Sequence, residues 1–74
     1  MENTRTPKLL DLVAVLDRAA DEPVEVGDVG TVVEILPPDG VEVEFLDRGG
    51  RTRFVATLRE SDVLVLNRDR MHVG

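Results

Sequence analysis

The chain has no cysteine, so neither a disulfide nor a thiolate metal site can be built from it. It has no tryptophan, no tyrosine and only two phenylalanines, Phe45 and Phe54. A groove for proline-rich peptides is lined by aromatic rings. Single-stranded nucleic acid is held by bases stacked on such rings. The composition argues against both modes. His72 is the one histidine and Ser61 the one serine, and neither has a catalytic companion beside it in the sequence. No catalytic residue, metal ligand set or cofactor is therefore expected. Long apolar runs are also missing. Leu9 to Leu16 is eight residues and contains Asp11, which is too short to span a bilayer or to form a signal-peptide core. With no cysteine to oxidise, a cytoplasmic location is the expectation.

What is present is a 74-residue chain, 42% hydrophobic, of formal charge −6. That length makes one domain, and such a domain buries only about 60% of the surface its unfolded chain exposes. The charge is uneven. Residues 17–47 carry ten carboxylates (Asp17, Asp21, Glu22, Glu25, Asp28, Glu34, Asp39, Glu42, Glu44, Asp47) against Arg18 alone, whereas residues 48–74 carry six arginines against Glu60, Asp62 and Asp69. Affinity for phosphate comes from cations that release condensed counterions. A chain with this acidic middle is a poor general nucleic-acid binder and attracts basic partners.

Turn signals recur at short spacing, the mark of an all-β chain. Leu10 to Leu16 is read as a first strand. A helix capped by Thr6 with Pro7 in its first turn competes, but the β-branched Val13 and Val15 favour the strand. An acidic loop from Asp17 to Gly27 follows, then a strand Val29 to Leu36 and a turn at Pro37-Pro38-Asp39-Gly40. Val41 to Asp47 alternates, with Val41, Val43 and Phe45 on one face. Gly49-Gly50 centres a hairpin that sets Asp47 against Thr52, Phe45 against Phe54, and Glu44 diagonal to Arg53. Arg51 to Leu58 is the fourth strand, Arg59 to Asp62 a short turn, and Val63 to Leu66 the fifth strand. The predicted fold is a five-stranded SH3-like barrel at residues 9–66, with an N-terminal extension at 1–8 and a flexible tail at 67–74. Strand one closes against strand five, which removes the edges.

Gly27-Asp28-Val29-Gly30-Thr31-Val32-Val33-Glu34 resembles the turn and strand of KOW and related SH3-like modules. Taken with Asp11 to Leu16, Val43 to Asp47, Gly50-Arg51-Thr52 and Ala56-Thr57-Leu58, the chain resembles a family of small bacterial domains of unknown function. The resemblance implies a stand-alone SH3-like barrel and carries over no catalytic residue. The tail after Leu66 and the Pro37-Pro38 pair depart from the pattern.

Three surfaces are candidates for binding. Alternation places Val13, Val15, Val32, Leu36, Leu46 and Val55 on the face opposite the core, where a contiguous apolar patch marks an interface. Asp21, Glu22, Glu25 and Asp28 lack calcium-loop spacing and read as a solvated loop or a docking loop for a basic partner. Arg48, Arg51, Arg53 and Arg59 flank one hairpin, either compensating Glu42 and Glu44 or forming an RNA or anion patch. Gly27 and Gly30 read as a turn that needs positive φ, since no helix N-terminus follows to cradle a phosphate. The expected function is that of a non-catalytic module binding a partner protein or itself, by analogy an antitoxin, immunity or assembly subunit. RNA or ribosome association through the arginines is the alternative. No membrane or small-molecule partner is expected.

Overall fold

The computed structural model describes residues 6–17 and 23–66. They form β1 (Leu12–Val15), β2 (Val29–Leu36), β3 (Gly40–Leu46), β4 (Thr52–Arg59), a 3₁₀ turn (Glu60–Asp62) and β5 (Val63–Val65). All neighbours are antiparallel, in the order β4-β3-β2-β1-β5. The strand reading of residues 12–15 holds against the helical one. The reason lies just upstream: the Asp11 carboxylate accepts the Lys8 N–H at 2.9 Å, and the Asp11 N–H donates to the Lys8 carbonyl at 3.0 Å. This turn replaces a first helical turn, as side chains that bond the local backbone commonly do. Leu10 within it has φ 71°.

One core is shared by all five strands. It is built from Val13 and Val15 of β1, Val32 of β2, Val41, Val43 and Phe45 of β3, Ala56 and Leu58 of β4, and Val63 and Val65 of β5, with Val24 from the loop and Ile35 and Phe54 packed against it. Residues at both edges of the sheet, Leu58 in β4 and Val65 in β5, are 3% and 5% exposed. Both edge strands therefore contribute side chains to the one core. β1 pairs with β5 as expected, but this does not remove the edges: no ladder joins β4 to β5 among the described residues, so each keeps one unpaired side.

The Phe45–Phe54 pairing is as expected, with ring centroids 5.1 Å apart and planes at 77°. Such edge-to-face pairs add about 0.5–1.5 kcal/mol beyond area burial. Beyond it the register shifts, and Leu46 rather than Asp47 lies opposite Thr52. Asp47 instead organises the loop: its Oδ1 accepts the Gly49 and Arg51 N–H groups at 2.8 and 3.0 Å, while Gly50 takes φ 83°. Glu44 accepts the Thr52 hydroxyl, and Arg53 turns to Asp28 instead of Glu44.

The face assignment of Val13, Val15 and Val32 is corrected: they are 0%, 1% and 0% exposed and belong to the core. In β1 both alternating sets are apolar, Leu12-Ala14-Leu16 as well as Val13-Val15, so alternation alone does not choose a side. In β2 the pairing passes from Val32↔Val43 to Glu34↔Glu42, leaving Val33 as a bulge. A bulge changes the parity. Val32 and Leu36 therefore lie on opposite sides, although their spacing puts them together in a regular strand. Gly30 is likewise not a turn glycine. It is buried in β2 beneath Phe45, and Gly27 supplies the positive φ, at 94°.

Candidate functional site

The outer face follows from the register. Ala14 lies opposite Val29 on one side and Leu64 on the other, and Leu12 lies beside Thr31 and accepts the Leu66 N–H at 2.9 Å. Leu12, Ala14, Leu64 and Leu66 are half-buried, Val29 is 52% exposed and Leu16 49%. These six make an apolar strip across β5, β1 and the start of β2. Its next row runs through Thr31 and Glu44 to Val55, which is 48% exposed.

Of the six residues expected to form this surface, three stay outside the core, and the sheet spreads them apart. Val55 stands in the edge strand β4. Leu36 opposes Gly40 beside the proline turn, while Leu46 is 50% exposed at the other end of β3, about 20 Å from Gly40 at strand rise. The residues the sequence reading missed are Leu12, Ala14, Leu16, Val29, Leu64 and Leu66. Their signal was the even-numbered apolar set Leu12-Ala14-Leu16 in a strand whose odd set fills the core.

The acidic loop is only half described. Asp21 and Glu22 lie outside the described residues. Glu25 is exposed, and its N–H donates to Asp28 Oδ2 at 2.9 Å, while the Asp28 N–H returns to the Glu25 carbonyl at 3.0 Å. The same Oδ2 lies 3.9 Å from the Arg53 guanidinium. Asp28 thus closes a turn and lies beside β4. Among the described residues no group of three or more His, Cys, Asp or Glu side chains is placed to hold a metal ion. None of them is a buried polar or charged side chain.

The arginines do not form one cluster. Arg48 and Arg51 are exposed in the β3–β4 loop. Arg53 lies over the Phe54 ring, 4.6 Å from its centroid, a cation–π contact beside the Asp28 link. Arg59 pairs opposite Gly40 at the far end of β4, about 20 Å from Arg53. An anion bound at the loop therefore meets Arg48 and Arg51 without Arg59.

No helix of the described residues is long and apolar enough to cross a membrane. No curated protein and no solved structure matches the chain. One family model does, over residues 9–65, a span that runs from the turn before β1 to the end of β5. The chain belongs to that family, the domain of unknown function DUF4926.

Proposed function

We propose that this chain is a non-catalytic protein-interaction module of the bacterial cytoplasm, built as a small SH3-like barrel and engaging its partner through the outer apolar strip. The observation that carries the reading is the strip itself. Leu12, Ala14, Val29 and Leu64 are set side by side by the β1 register, on the side of the sheet that the core does not use. Contiguous apolar surface rimmed by charge is the usual mark of an association site. Fully burying a valine or leucine contributes about 1.5–3 kcal/mol, so a few such side chains support binding. The antiparallel connectivity, with β1 between β2 and β5 and a 3₁₀ turn before the last strand, supports the SH3-like reading. Dispersal of the arginines and the charge of −6 rank RNA association lower.

The test is affinity capture from the native host followed by mass spectrometry, with the wild-type chain and a Val29→Lys/Leu64→Lys variant. Both should show the same strand-rich circular dichroism. The variant should lose the captured protein. Retention of that protein by a folded variant, or capture of RNA that resists physiological salt, would overturn the reading.

A further inference from the structure

We propose that the free edge of β4 accepts an extended acidic segment of a partner protein as a sixth, antiparallel strand. This rests on the protein-binding reading and states where the partner lies and what it carries. The Glu60 N–H donates to the Asp39 carbonyl at 2.8 Å, and Arg59 lies opposite Gly40. Bonded and non-bonded pairs alternate along an antiparallel ladder. Phe54, Ala56 and Leu58 therefore bond to β3, and the N–H and C=O groups of Val55, Thr57 and Arg59 point away from it. Among the described residues β4 pairs with β3 alone, and no other backbone hydrogen bond reaches Val55 or Thr57, while Arg59 is the N-cap of the 3₁₀ turn and its carbonyl accepts the first bond there. A row of donors and acceptors at strand spacing is matched by another extended backbone, which is the basis of strand addition. The opposite edge, β5, is only three residues long.

Charge selects the occupant. β4 reads Thr-Arg-Phe-Val-Ala-Thr-Leu-Arg, with two arginines and no carboxylate, and Arg51 precedes it. Arg53 and Arg59 are exposed near its two ends. Arg53 is skipped where the β3–β4 register shifts and already contacts Asp28 and Phe54, so an incoming strand meets Arg59 by direct pairing and Arg53 only at its end, with Val55 and Thr57 between them to receive small β-branched side chains. A second copy of the chain fits worse. Two β4 strands paired antiparallel about Ala56 set Arg53 against Arg59 twice, pairing about Val55 sets Arg59 against Arg51, and pairing about Thr57 avoids this but overlaps only residues 55–59 before the 3₁₀ turn. Like charges directly opposite are destabilising.

The experiment is amide-resolved NMR titration of the full chain with two capped seven-residue peptides. One has glutamate at both ends with valine and threonine alternating between; the other has lysine at both ends. The glutamate peptide should shift the Val55, Thr57 and Arg59 amides and bind about tenfold more tightly than the lysine peptide, since two attractions become two repulsions. Thr57→Pro should abolish that binding, because proline is tolerated where an edge N–H faces solvent and removes the outward donor. Arg53→Glu/Arg59→Glu should reverse the preference between the peptides, a readout that survives even if the proline variant fails to fold. Equal affinity for the two peptides, shifts confined to the Leu12–Val29–Leu64 strip, or a homodimer broken by Thr57→Pro would overturn the proposal. If Thr57→Pro keeps the captured host protein while Val29→Lys/Leu64→Lys loses it, the β4 proposal falls and the binding-module reading stands.

Discussion

Two residues show how closely this fold is specified at single positions. A Cβ on Gly30 would lie 2.6 Å from Val43 Cγ1 and 2.7 Å from the Glu44 carbonyl oxygen. The second contact is backbone of the paired strand, so relief requires β2 and β3 to separate. Gly30→Ala should destabilise by about 1–3 kcal/mol, the usual cost of overpacking. A urea midpoint equal to that of the wild type would show that β2 gives way more easily than its pairing implies. Leu10 is the opposite case. Its φ of 71° is left-handed backbone that costs a side-chain-bearing residue about 1–2 kcal/mol, and the side chain is 68% exposed. Leu10→Gly relieves that cost and loses little packing, but frees the unfolded chain. A net gain of about 0.5–1 kcal/mol is expected in urea unfolding. The sequence showed neither feature, because a glycine that avoids a clash and one that turns a corner read alike.

At the scale of elements, legibility followed the contrast between alternate residues. β3 was plain because Val41, Val43 and Phe45 alternate with Glu42 and Glu44, so only one side can face the core. Its hairpin partner followed from the two phenylalanines. β1 was not plain, since both of its sets are apolar, and β2 hid its parity change at the Val33 bulge. Both features bear on the candidate surface, which is why Val13, Val15 and Val32 lie in the core and not on it. Neighbouring positions in β1 test the reassignment. Val15→Asp buries an unpaired carboxylate at a site 1% exposed and should unfold the domain, since total stability is only about 5–15 kcal/mol and an uncompensated buried charge removes several. Ala14→Asp, on the outer side, should leave the circular dichroism spectrum unchanged. Reversal of these two outcomes would return the strand to the first assignment.

At the scale of the whole molecule, stability rests on one apolar core, with no buried polar side chain among the described residues, while the surface charge works against it. The register sets Glu34 directly opposite Glu42, and Glu44 lies two residues further along β3. Like charges so placed are destabilising by about 0.2–1 kcal/mol per pair. Among the described residues the ion pair that opposes them, Arg53 to Asp28, is long at 3.9 Å and half-exposed, a class of ion pair that adds little. Repulsion therefore outweighs attraction, and screening should help the folded state. Sodium chloride raised from about 0.01 M to 0.5 M shortens the screening length from about 30 Å to below 8 Å. The urea midpoint should rise over that range. Glu34→Lys should stabilise the domain already at low salt, by about 0.5–1 kcal/mol, because it turns a repulsive pair into an attractive one. The variant should then respond less to added salt than the wild type does. A wild-type midpoint that falls with salt would mean that the arginine contacts around β4 dominate the surface. It would also weaken the case for that edge as a site whose arginines are free to meet an incoming acidic strand.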